Sequence, residues 1–239
     1  MKTIIHKADS RGYADHEWLQ TFHTFSFAGY NDPSRVRFGL LRVLNDDVIH
    51  PAMGFGTHPH DNMEIVTIPL QGALAHKDSM GHEEVIKSGE IQVMSAGTGL
   101  YHSEYNASET ESVNLLQIWI FPKVRDFKPR YDQKTFEIND RQNKFQTVVS
   151  PEKNNNSLWI NQDAYFSLGN FSKDQKVDYK IKQQRNGVYL FVIEGSIEIN
   201  GDNLNRRDGI GIELTDSFDI NVKEDSEILV IDVPMNINL

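Results

Sequence analysis

The stretch Thr57-His58-Pro59-His60-Asp61-Asn62-Met63-Glu64 decides how the chain is read. Successive side chains of an extended strand point to opposite faces, so His58 and His60, at i and i+2, leave one face roughly 7 Å apart. Both imidazoles can then reach one ion. Further on, Tyr101-His102-Ser103-Glu104 repeats the spacing with an imidazole and a carboxylate. A single histidine in a strand is usually a solvated or hydrogen-bonded side chain. Two same-face pairs are different, because a buried imidazole cluster without an ion leaves its lone pairs unsatisfied. Laid side by side, the two segments bring together three nitrogens and one oxygen, from His58, His60, His102 and Glu104. These are the predicted metal ligands.

Outward from this stretch the pattern is that of short strands. Residues 64–70, 72–77, 84–87, 90–94 and 113–121 read as extended pieces separated by Gly, Asn, Asp and Ser. Upstream, 23–27 alternates polar and apolar, and 38–44 reads as a strand ended by the turn-forming Asn45-Asp46-Asp47. Only 15–20 suggests a short helix, with Asp15 as its cap. Regular short strands with turn signals and almost no helical periodicity indicate an all-β sandwich or barrel. Residues 122–151 carry Lys123, Arg125, Lys128, Arg130, Lys134, Arg141 and Lys144 among polar neighbours and read as a connection holding one strand, 135–138. A second series follows at 146–149, 158–160, 164–168, 188–194, 196–200, 210–214 and 227–233. Asn154-Asn155-Asn156 reads as a loop tip, and 234–239 as a tail that packs back on the other domain. The expected division is therefore 1–130, carrying the metal ligands, and 131–239, without them.

The two series resemble a duplication. Leu70-Gln71-Gly72-Ala73-Leu74-Ala75 matches Ile193-Glu194-Gly195-Ser196-Ile197-Glu198, and Ser88-Gly89-Glu90 matches Asp208-Gly209-Ile210. Equivalent offsets carry His58 and His60 to Ile181 and Gln183, and His102 to Val222. All 9 histidines lie at or before His102, so the second half has no imidazole cluster of its own.

Composition sets the outer bounds. The 239 residues contain no cysteine, which excludes disulfides, thiolate nucleophiles and iron–sulfur ligation and leaves imidazole and oxygen as metal donors. A formal charge of −10 argues against direct nucleic-acid binding. No stretch approaches the ~20 apolar residues of a membrane span. Met1 to Lys7 lacks the apolar core of a secretory leader, so a cytoplasmic protein is expected.

The run Gly56-Thr57-His58-Pro59-His60-Asp61-Asn62-Met63-Glu64 with Gly72 resembles the first cupin motif. Residues 89–106, with Gly97, His102 and Asn106, resemble the second. His58-Pro59-His60 with Glu64, and Met94-Ser95-Ala96-Gly97-Thr98-Gly99-Leu100-Tyr101-His102-Ser103-Glu104, narrow this to the pirin family. Within it they resemble the bacterial pirins credited with flavonol dioxygenase activity, as does His23-Thr24-Phe25-Ser26-Phe27. Ser95 stands where the generic motif has proline.

The resemblance implies a bicupin, two jelly-roll β-sandwich barrels packed face to face, with one mononuclear metal in the N-terminal barrel held by His58, His60, His102 and Glu104. General cupins use the carboxylate of the first motif, here Glu64. The Ser103-Glu104 pair selects Glu104 as the ligand and leaves Glu64 as a pocket residue, with either carboxylate the proton acceptor.

Three imidazoles and a carboxylate leave positions open on an octahedral first-row ion. Fe(II) suits oxygen chemistry best, while Cu, Mn, Co, Ni and Zn share the ligand preference. The implied activity is cleavage of the heterocyclic ring of a flavonol such as quercetin by O2, the small aromatic substrate resting among Phe25, Phe27, Phe55 and Met63. The alternative it implies is a redox-sensing binding protein that regulates a protein partner or a transcription complex.

Overall fold

The strand Val113–Ile120 shows how one sequence faces two cores. In the computed structural model, which describes residues 1–154 and 156–236, its Leu116, Ile118 and Ile120 enter the apolar core between two barrels. Val113 and Leu115 turn into the first barrel's own interior, and Gln117 and Trp119 line a cavity there. The strand Asn186–Glu194 mirrors this: Tyr189, Phe191 and Ile193 face the shared core, and Val188, Leu190 and Val192 face the second barrel's interior. Period-two alternation with both faces apolar is what a sheet covered on both sides requires.

Each barrel pairs a seven-stranded sheet with a four-stranded one, and the two large sheets meet across the shared core. The first barrel's large sheet runs Arg130–Thr135, Glu90–Ser95, Glu64–Gln71, Val113–Ile120, Leu41–Ile49, Leu19–His23, Gly12–Asp15. Its small sheet runs Gly54–His60, Leu100–Asn106, Ala73–Asp78, Glu83–Lys87. The expected all-β bicupin is thus what the chain adopts, with helix confined, among the described residues, to two 3-10 turns at Ala8–Ser10 and Ile138–Arg141.

Gly72 (φ 78°) and Gly195 (φ 87°) occupy matching turns, each joining a central strand to the next. A Cβ on Gly195 would stand 2.2 Å from the Asp225 carbonyl, so only glycine fits. The second barrel's interior is closed by Phe171, Tyr179, Ile197, Phe218 and Ile220. The sequence offsets to Val222 and Ile181 are corrected by the register: Val222 pairs with Ile197, two residues after Gly195, as Asn106 pairs with Leu74, two after Gly72. The facing pair Phe218 and Tyr179 therefore stands where His102 faces His58, and neither is an imidazole.

Several expectations are corrected. The helix at 15–20 is a hairpin connection between Gly12–Asp15 and Leu19–His23. Asp15 Oδ1 there accepts the Glu17 amide at 2.9 Å, and Glu17 has φ 68°. The strand at 135–138 lies earlier, as Arg130–Thr135, paired with Glu90–Ser95. Asn45-Asp46-Asp47 is the middle of the Leu41–Ile49 strand. A division after 130 falls at the start of that first-barrel edge strand, while Lys2–His6 pairs with Gly209–Glu213 of the second barrel, so each half lends a strand across the sequence boundary. Asn155 of the expected loop tip and residues 237–239 of the expected tail lie outside the described residues. Among the described residues no helix is long and apolar enough to cross a membrane.

Candidate metal centre

The small sheet of the first barrel assembles the site. Leu100–Asn106 pairs antiparallel with Gly54–His60, placing His102 directly opposite His58 and Leu100 opposite His60. On its other side it pairs with Ala73–Asp78, so Glu104 lies opposite His76. The pairing with Gly54–His60 shifts register between His102 and Glu104, a bulge of the kind that re-aims side chains beside functional sites.

One donor atom from each of His58, His60 and His102 lies within 4.8 Å of the others. Their ring centroids are 4.4 Å (His58–His102), 4.8 Å (His60–His102) and 4.9 Å (His58–His60) apart. Glu104 does not share that set: its oxygen lies within the same limit of His102 and His76, and His102 links the two groups. His102 thus links Glu104 to the other two imidazoles, and Glu104 lines the same cavity as His58 and His60.

The chemistry of these donors fits a cation. His102 is 1% exposed, and both its ring nitrogens lack a hydrogen-bond partner among the described residues, as do Glu104 Oε1 and His76 Nδ1. Such orphaned buried atoms are costly unless an ion takes them up. His58 Nδ1 lies 2.8 Å from the Gly56 carbonyl, which can only accept, so Nδ1 carries the proton and Nε2 keeps its lone pair. Burial first, then the charge of His58, pushes His60 down to about 4. Burial, His58 and His60 push His102 well below the usual imidazole range. Neutral imidazoles are the form a metal needs. Burial raises Glu104 to about 7, opposed by the hydrogen bond from Gln117 and reinforced by Asp47.

His76 was not anticipated, although His76-Lys77-Asp78 carries the same i, i+2 spacing as the other pairs. Its Nε2 lies 3.4 Å from Asp78 Oδ2. Asp78 is itself pinned by the amides of Met80 (2.8 Å) and His82 (3.1 Å) and by His82 Nδ1 (2.8 Å). A carboxylate behind an imidazole fixes its tautomer and orientation, here leaving the Nδ1 lone pair as the orphan.

Glu64 is placed elsewhere than expected. Its strand turns Glu64, Val66 and Ile68 toward the shared core. Its Oε2 accepts the Ser95 hydroxyl at 2.8 Å and the Asn161 amide of the second half at 3.1 Å. The turn at 61–63, with Asn62 at φ 44°, breaks the parity that linked Glu64 to the histidines. It is neither a donor to the centre nor a wall of the cavity, and burial raises it to about 7.

A cavity of about 360 Å³ opens onto the centre, lined by Asn45, Asp47, Gln117 and Trp119 from the large sheet, by Phe55, His58, His60 and Glu104 from the small one, and by Trp18 and Phe27. Trp119 meets His60 edge to face at 4.9 Å. Phe27 and Phe55 line the cavity as expected. Phe25 instead belongs to the shared core, and Met63 packs with Ile65, Met94 and Leu100.

Comparison with known proteins agrees with this architecture. Residues 5–120 match the Pirin family model, and residues 147–233 match the model described as a quercetinase C-terminal cupin domain. The chain is 44% identical over 230 residues to a protein of Escherichia coli K12 named quercetin 2,3-dioxygenase, covering 96% of this chain and 98% of that one. It is 41% identical to a pirin-like protein of Caulobacter vibrioides, over 94% and 96% of the two chains. Among solved structures, a bacterial pirin of E. coli in complex with nickel(II) superposes with a TM-score of 0.92 at 42% identity, covering 98% of this chain and 99% of that one.

Proposed function

The chain belongs to the pirin family, and from that premise we propose that it is a metal-dependent dioxygenase that uses O2 to open the heterocyclic ring of a flavonol such as quercetin. The observation that carries this reading is the cavity: aromatic and hydrogen-bonding side chains line it together, and it ends at the imidazoles of the candidate metal centre. A flat, hydroxylated, multi-ring molecule is what such walls accept.

His58, His60, His102 and Glu104 would hold the ion, Fe(II) by preference, with Cu, Mn, Co, Ni and Zn compatible with the same donors. When bound, the ion supplies Lewis acidity toward a coordinated hydroxyl and a partner for oxygen chemistry. The chain's own residues do the rest. Glu104, beside the imidazoles and lining the cavity, is placed to accept the proton of the flavonol 3-hydroxyl. Gln117 donates to Glu104 Oε2 at 2.9 Å, holding the carboxylate so that Oε1 stays free. Trp18, Phe27, Phe55 and Trp119 hold the rings and exclude water. The first barrel is the catalytic half, the second barrel is scaffold, and the protein acts in the cytoplasm.

The test is anaerobic reconstitution with Fe(II), addition of quercetin, and admission of air. The reading requires loss of the flavonol absorption band with matching oxygen uptake, both abolished in His60→Ala. A band that persists with every divalent metal contradicts it.

A further inference from the structure

The polar residues that line the cavity have their hydrogen-bonding capacity unevenly spent. Asn45 uses Oδ1 on His23 Nδ1 (3.0 Å). Gln117 uses both ends, donating to Glu104 and accepting the Thr67 hydroxyl at 3.0 Å. Two buried acceptors remain open, Glu104 Oε1 beside the imidazoles and Asp47 Oδ1. Asp47 is 4% exposed, and its strand pairs it with Leu115 on one side and Thr21 on the other. Leu115 is two residues from Gln117, which holds Glu104, so Asp47 stands roughly 7 Å along the sheet from the level of Glu104 and farther from His60, which the Trp119 ring contacts.

We propose that Asp47 reads the substrate: its free Oδ1 accepts a hydrogen bond from a phenolic hydroxyl at the end of the molecule remote from the metal ligands. This rests on the flavonol reading above and deepens it. With Glu104 Oε1 given to the ion, Asp47 Oδ1 is an open buried acceptor of the lining, so the cavity favours aromatics that bring a hydroxyl donor to it. Leaving Oδ1 unmet costs affinity for analogues that lack the hydroxyl, which is how a polar pocket discriminates strongly.

The test uses metal-loaded protein under anaerobic conditions, so that binding is read without turnover. Quenching of tryptophan fluorescence reports occupancy, since Trp18 and Trp119 line the cavity. The probes are quercetin and 3-hydroxyflavone, which share the 3-hydroxyl and 4-carbonyl and differ only in the remote hydroxyls. At pH 8, above the value of about 7 to which burial raises the Asp47 carboxyl, wild type is expected to prefer quercetin by about tenfold in Kd, the size of one hydrogen bond to a charged acceptor. Asp47→Ala is expected to bring the two within about twofold while leaving 3-hydroxyflavone within about threefold of its wild-type Kd. Asp47→Asn, which keeps one acceptor oxygen, is expected to retain part of the preference, and it decides the matter if the alanine variant does not fold. Absence of a preference in wild type, or a preference untouched by either substitution, or equal weakening of both probes, overturns the assignment of Asp47. Failure of wild type to bind either probe overturns the flavonol reading itself.

Discussion

Gln117 donates its side-chain amide to Glu104 at 2.9 Å, joining the large sheet of the first barrel to the small one at the level of the metal centre. That contact holds Glu104 below the value burial alone would set. In Gln117→Leu the carboxyl loses the side-chain donor on its Oε2 and rises further. Glu104 must be ionised to take a proton, so the acidic limb of the kcat/KM profile is expected to move to higher pH. A pH–rate profile measures it; an unmoved limb removes Glu104 as the base.

Glu64 provides the opposite control. Its carboxyl sits between the barrels, raised from 4.5 to about 7 by burial. The unfolded chain releases this proton near the ordinary carboxyl value and the folded chain holds it until about pH 7. The folded state therefore binds more protons in this window, and stability falls as pH rises through it. Glu64→Gln is expected to remove that loss, on the order of 2–3 kcal/mol at pH 8 and vanishing near pH 4, with turnover within about twofold of wild type. Thermal unfolding against pH checks the first part; a large fall in kcat would return Glu64 to the catalytic machinery.

His76 supports the centre from behind, held by Asp78 with its free nitrogen toward His102 and Glu104. His76→Ala is expected to weaken metal retention by about 10–100-fold, as loss of a partner behind the ligands does. Competition with a chromogenic chelator measures this; unchanged affinity would make His76 mere packing.

Leu116 lies in the core shared by the two large sheets, fully buried. Leu116→Ala is expected to cost about 2–5 kcal/mol and to destabilise both barrels in one cooperative transition. Two separate denaturant transitions would show that the shared core does not couple them.

The centre was legible because ligation imposes period-two spacing on a strand, and His58, His60, His102 and Glu104 carry it. The cavity was not, and Asn45-Asp46-Asp47 shows why. Three consecutive polar residues of turn-forming type read as a strand end, yet they sit mid-strand because a barrel with a polar interior wall and a charged interface can bury them. Asn45 and Asp47 face the cavity, whereas Asp46 faces the other barrel, near Arg11 (3.5 Å) and Arg207 (3.6 Å). Those partners lie 35 and 161 residues away, beyond the reach of any local pattern. Glu64 failed for the converse reason: its parity was counted through a turn that the chain does not follow as a strand.

The most direct test of the metal centre is a crystal structure of the metal-loaded protein with anomalous scattering at the metal edge. One ion per chain is expected, bonded at about 2.0–2.2 Å to nitrogens of His58, His60 and His102 and to an oxygen of Glu104. An ion lodged with His76 and away from His58 and His60, or no ion bound to the imidazoles, would contradict it.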